Sequence, residues 1–248
     1  MAITLRMARM QRLLASLTVL LALAGAASVA AADPYDDGMA AAQRRDYLTA
    51  FKLWRPLAEQ GNVAAQRNLG SMYYRGDGVN QDFKEAAKWW QLAAVQGDVI
   101  AASNLGSLYY QGSGVPKDYT KAATWFRLAA AQGNSEAQNS LGTLYDLGQG
   151  VAENRKEAAT WYRLAAEQGN PGAQFNLGSL YARGDGVPQD NARAYLWFTL
   201  AASVLKDKDG ARAAQNRDSV AQKMTEAQIA DAQAKAQRCK TSKFQNCE

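Results

Sequence analysis

Histidine is absent from all 248 residues. That removes both the commonest general base near neutral pH and the commonest metal ligand. Cysteine is nearly absent: only Cys239 and Cys247 occur, both within the last ten residues. In an oxidising compartment so close a pair is a disulfide candidate, with two free thiols as the alternative. Clustered Lys/Arg, the footprint of a nucleic-acid binder, is missing too. The formal charge of +5 comes partly from the first residues. Arg6, Arg9 and Arg12 face no acid among residues 1–32, and without them 25 basic residues stand against 23 acidic ones. No cofactor, metal centre or nucleic-acid partner is implied.

The N-terminus reads as an export signal. A basic stretch ends at Arg12, Leu13 to Ala24 are apolar, and small residues follow with A-x-A-like sites ending at Ala30 and Ala32. Cleavage after Ala32 or after Ala30 is expected; an uncleaved anchor over the uncharged stretch Leu13 to Ala32 is the alternative. No Arg-Arg pair is present, which favours the general secretory route, and no cysteine lies near the site to take a lipid. The expected location is the periplasm or the exterior, with no membrane span left after cleavage.

What the chain has in quantity is repetition. Gly61-Asn62 returns as Gly97-Asp98, Gly133-Asn134 and Gly169-Asn170, each step being 36 residues without insertion. Thirteen positions keep one residue type in all four units, among them Ala65, Leu69, Gly70 and Tyr73. In each unit Ala65, Leu69, Met72 and Tyr73 form one helical stripe, and Gly70 beside it should admit a close partner helix. Gly-x-Gly-Val at 76–79 and its equivalents tolerates positive φ and should end that helix. Asp82, Asp118, Asn154 and Asp190 then suit the N-cap of a second helix, and Glu85 and Glu157 have capping-box spacing. Ala86, Trp89, Leu92 and Ala93 give the second helix its stripe. The fixed phase of Trp89, Trp125, Trp161 and Trp197 with the alanines marks them as core. Ahead of these units Ala50, Trp54 and Ala58 align with Ala86, Trp90 and Ala94, in a helix that Pro56 should interrupt or kink. Past Val204 a polar turn at Lys206 to Gly210, a helix to Met224 and a Thr225-capped helix to Arg238 should close the array.

The pattern A-x-x-x-L-G-x-x-Y-x-x-G-x-G-V followed by A-x-x-W-x-x-L-A-A-x-x-G resembles the Sel1-like repeat, a relative of the tetratricopeptide repeat. It covers residues 61–204. The resemblance implies an all-α, right-handed α-solenoid of two-helix units. The layout is a signal peptide (1–32), a truncated N-terminal repeat (33–60), four repeats (61–96, 97–132, 133–168, 169–204) and a C-terminal helical cap and tail (205–248). A two-helix unit cannot bury its own stripe, so the units must stack. The resemblance also implies a concave face lined by first helices and a role as a non-catalytic adaptor for a protein partner in the envelope.

On that alignment the groove residues differ between units while the framework repeats. The partner-binding candidates are Arg67, Tyr74 and Arg75, then Tyr110 and Gln111, Asn139 and Asp146, and Phe175 and Arg183. Equally, surface that nothing constrains will drift. Together the candidates favour an extended segment with apolar anchors and some acidic residues. The competing class is an envelope enzyme acting on β-lactams or peptidoglycan, as claimed for cysteine-rich relatives. Ser203-Val204-Leu205-Lys206 matches a Ser-x-x-Lys nucleophile pattern and Lys240-Thr241-Ser242 a second element. The repeats, however, lack the cysteine pairs of those relatives. The glycine loops lack the lysine and hydroxyl of a phosphate cradle, and their aspartates lack a calcium loop's terminal glutamate.

The export reading predicts a processed chain beginning at Asp33 or Ala31. N-terminal sequencing of the periplasmic fraction checks it; an intact Met1 in the membrane pellet would instead indicate an anchor.

Overall fold

The computed structural model describes residues 33–244 and residue 247; the leader reading of residues 1–32 lies outside them. Among the described residues there are twelve helices and no strand. They run as pairs: α1 (Pro34–Gln43) with α2 (Tyr47–Glu59), α3 (Val63–Arg75) with α4 (Phe83–Val95), and α5 (Val99–Gln111) with α6 (Tyr119–Ala131). Next come α7 (Ser135–Leu147) with α8 (Arg155–Ala166), then α9 (Pro171–Arg183) with α10 (Asn191–Val204). Two more helices, α11 (Asp207–Ala221) and α12 (Glu226–Thr241), close the array. Each first helix packs on its own second helix, and each second helix packs on the first helix of the next pair. None of the described helices is long and apolar enough to cross a membrane.

The helix ends follow from side chains. Asn62, Asp98, Asn134 and Asn170 cap the first helices, each accepting from the backbone N–H three residues on. Asp82, Asp118, Asn154 and Asp190 cap the second helices, as their sequence positions predict. Each such cap is worth about 1 kcal/mol. The expected capping boxes are not completed at these sites. Glu85 pairs with Lys88, and Glu157 accepts from the Trp161 indole, so neither carboxylate reaches back to its N-cap. Among the described residues the reciprocal box forms only at Thr225 and Gln228. Pro56 does not end its helix: α2 runs on to Glu59.

Within a pair, the aromatic ring of the second helix lies on the glycine of the first. A Cβ on Gly106 would stand 2.7 Å from the Phe126 ring, and one on Gly142 2.7 Å from the Tyr162 ring. Gly70 faces Trp90, Gly178 faces Phe198, and Gly38 faces Trp54 in the same way. The first pair therefore carries the same contact. From Gly38 to Trp54 is 16 residues against 20 from Gly70 to Trp90, so only the connecting segment is shorter. The deep rings are thus Trp90, Phe126, Tyr162 and Phe198, while Trp125 and Trp161 of the expected tryptophan ladder are only half-buried. Burying each such ring contributes about 1.5–3 kcal/mol. Burial also pushes the Tyr162 phenol far above the ordinary tyrosine range, so it stays protonated and donates to Thr143 Oγ1 at 3.2 Å.

Between pairs the second glycine of Gly-x-Gly-Val is the contact point. Gly78 has φ +70, and its missing Cβ would meet the backbone of Tyr47 at 2.7 Å. Gly114, Gly150 and Gly186 meet the start of the preceding second helix in the same manner. Buried amides join the pairs as well. Gln66, Gln138 and Gln174 donate to the carbonyls of Ala58, Ala130 and Ala166. Gln96 and Gln168 in turn donate to Gln66 and Gln138. The matching position after Gln174 is Val204, and Gln174 Oε1 accepts no hydrogen bond.

The outer face of the second helices is less buried than its sequence stripe predicts. Leu92 is 40% exposed, and Leu128 and Leu164 are similar, because no further layer covers them. Leu200 is 0% exposed and Trp197 is fully buried, since α11 and α12 both pack on α10. The expected polar turn at Lys206 to Gly210 is largely helical: α11 begins at Asp207, and Asp207 and Asp209 in its first turn complement the helix dipole. Cys239 and Cys247 form a disulfide, Cα to Cα 4.7 Å. Both are buried in one cluster with Ala165, Ala166 and Leu196, and Phe244 packs on Gly169, so the disulfide belongs to the edge of the core.

Gly106→Leu should drive α6 away from α5 at a cost of about 1–3 kcal/mol. A defect in the middle of a nearest-neighbour array should also split its single cooperative melt, which calorimetry would read. Replacing both cysteines with serine should cost at most about 3 kcal/mol. It should loosen α12 first, so amide exchange should quicken there and stay unchanged in α3 to α8.

Candidate functional site

The first helices leave one face free, and clefts follow one another along it. Ser71, Tyr74, Arg75, Trp90, Asn104, Ser107 and Gln111 line a cleft of about 290 Å³ between α3 and α5. Ser107 and Gln111 also line the next cleft, with Tyr110, Phe126, Asn139, Ser140 and Thr143. The two therefore share a wall. Further on, α9 and α11 enclose two more clefts. Gly172, Phe175, Asn176, Leu205, Asp209 and Arg212 line one, and Ser179, Ala182, Arg183, Phe198, Asn216, Ser219, Val220 and Lys223 the other.

The candidate residues divide by what holds them. Tyr74 is 37% exposed and leans on the rings of Phe83 and Trp90, with centroids 5.3 and 5.4 Å away. Tyr110 stands edge-on to Tyr119 at 5.3 Å. Tyr74 and Tyr110 thus sit on adjacent clefts, each braced by the second helix of its own pair. Gln111 is exposed between those clefts. Asn139 accepts from the Asn176 amide at 3.1 Å, and Phe175 lies against Phe198 with the Arg212 guanidinium over its ring.

The charged candidates are already engaged. Arg67 pairs with Asp98 of the next unit at 2.9 Å, and Arg75 with Asp77 at 2.6 Å. Asp146 pairs with Arg155 at 3.5 Å, and Arg183 with Asp185 at 2.6 Å. The hydrogen bond from Arg183 holds the Asp185 carboxyl below the usual carboxylate range. Each of these charges would have to leave its neighbour to meet a partner's.

Several lining residues escaped the sequence reading. Asn104, Ser140 and Asn176 occupy one repeat position, just before the Leu-Gly pair, where Asn68 stands in the first unit. A small polar residue kept beside a buried leucine was the available signal. Trp90, Phe126 and Phe198 form cleft floors while serving as core. The contribution of α11 had no signal, because it lies beyond the repeats.

The Ser-x-x-Lys pattern is not assembled into a pair. Ser203, in the last turn of α10, donates to the Leu200 carbonyl at 2.8 Å. Lys206 flanks the start of α11, and no hydrogen bond joins the two side chains.

A profile of the Sel1 repeat matches residues 31–62, 63–98, 99–134, 135–170 and 171–203. Among solved structures, the chain is similar to a Sel1 repeat protein from Oxalobacter formigenes: 30% identity over 77% of this chain and 86% of that one, with a TM-score of 0.65. It is also similar to a protective antigen of uropathogenic Escherichia coli strains with an SLR fold. There the identity is 40% over 63% of this chain, with a TM-score of 0.62; the match spans 34% of that protein's length. No functionally curated protein matches the sequence. Sel1 repeat proteins generally act as scaffolds for protein interactions, without catalysis of their own. Five matched repeats, each built as a helix pair closed by a glycine and a ring, show that this chain belongs to the Sel1 repeat family.

Proposed function

We propose that the chain is an exported, non-catalytic adaptor of the cell envelope, located in the periplasm or outside the cell. It holds an extended segment of a partner protein along the first-helix groove. The observation that carries this reading is the row of contiguous clefts, lined by side chains that change from unit to unit on a framework that does not. A scaffold needs that division: the constant positions keep the helices in place, and the variable ones supply recognition. Tyr74 and Tyr110 are the natural anchors, since interface energy concentrates in a few aromatic and arginine side chains.

Replacing Tyr74 and Tyr110 with alanine should weaken partner capture by about 2 kcal/mol or more, roughly thirtyfold, with helicity retained. A photo-crosslinking residue at position 110 should give adducts in cells, and one at Lys88 on the opposite side should not. Adducts from position 88 alone would move the binding face to the second helices. Changing Lys84, Lys88 and Lys121 should leave capture intact.

A further inference from the structure

The charges along the groove are unequally available. On α3 to α7 the charged candidates each have a neighbour of opposite sign: Arg67 has Asp98, Arg75 has Asp77, and Asp146 has Arg155. Apart from Arg75, every residue lining the two clefts there is neutral. Asn104 is half-buried on the cleft wall with no hydrogen-bond partner, and Ser140 and Gln111 also offer polar groups. At the other end α11 and the turn after it bring two cations that the repeats do not supply. Arg212 stacks over Phe175 at 4.7 Å, which orients its guanidinium without using its N–H donors. Lys223 lines the neighbouring cleft beside Ser179 and Phe198. Among the described residues neither cation pairs with a carboxylate. Asp209 is the one acid lining these two clefts, set against Arg212 and Lys223.

These facts have different consequences for an incoming chain. A partner charge laid against one of these pairs must compete with the charge already beside it. A carboxylate arriving at Arg212 and Lys223 meets two unpaired cations, one of them already held in orientation by a ring. We propose that the groove is a polarised receptor for an extended peptide. The peptide is uncharged, with hydroxyl, amide and aromatic side chains, where it crosses α3 to α7, and carries Asp or Glu side chains at the end that reaches α11. This rests on the groove reading above and adds the chemistry and direction of the occupant.

The test uses the purified protein and a random peptide library of about twelve residues, long enough to cross several first helices. The C termini are fused to a carrier, so that any acidic preference comes from side chains. Enriched peptides should carry Asp or Glu at one end only, and their binding should weaken as salt rises. Arg212→Gln with Lys223→Gln should weaken them by roughly tenfold, while Lys84→Gln with Lys121→Gln, on the second helices, should change affinity by less than about threefold. Enriched peptides without an acidic end, or with affinity unchanged by Arg212→Gln and Lys223→Gln, would overturn the inference and leave the groove reading standing. No enrichment, or peptides indifferent to Tyr74→Ala with Tyr110→Ala, would overturn both.

Discussion

One contact governs this molecule: the ring of each second helix seated on the bare backbone of a first-helix glycine. A methyl group on Gly106 would already fall 2.7 Å from the Phe126 ring, well inside van der Waals contact. The contact sets how closely the two helices of a pair approach, and so where every other side chain of the pair lies. It also places the ring at the base of the free face, so Trp90, Phe126 and Phe198 are both core and cleft floor. Stability and binding surface therefore share the same atoms, because an aromatic ring has two ends and only one is needed to fill the core.

Pairs become a solenoid through a second close approach. The Gly78-type residues let the loop of one unit rest on the start of the preceding second helix, backbone against backbone. Two requirements meet at that position, a positive φ and no room for a Cβ, and glycine alone satisfies both. Buried glutamine amides add direction, each donating to a carbonyl of the preceding second helix. Gln174, the last of them, lacks a glutamine to answer it because Val204 stands there, and there the tail takes over. By covering Trp197 and Leu200, α11 and α12 finish the core that an open-ended repeat would leave exposed. The same move brings α11 against the last first helix, which extends the groove beyond the repeats and gives its end a different charge.

The fold was legible because repetition multiplies weak signals. One Leu-Gly-x-x-Tyr is uninformative; four in register fix a period, two helices and their caps. The site was legible only in part. Tyr74, Tyr110, Gln111 and Phe175 face clefts as alignment to a related repeat suggests, yet Arg67 and Arg75 are spent on Asp98 and Asp77, one of them in the next unit. Partner choice among charges depends on distances that a linear pattern does not carry. Leu92 shows the same limit from the other side. Its helical phase fits the stripe, but burial also needs a neighbour on that side, and only the last unit has one.

The amino-acid sequence by itself determined the period, the helix pairs, the N-caps and the glycines that must stay bare. All of these are local: they follow from spacing, φ preference and hydrogen bonds within a few residues. Tertiary structure alone decided which faces are covered, which arginines remain free, and how α11 and α12 seat against α10. These depend on contacts between residues far apart in the chain, Arg212 over Phe175 and Phe244 on Gly169 among them. The physical reason is that a solenoid's framework is set by nearest neighbours, whereas its ends and its groove are set by what happens to lie across the gap.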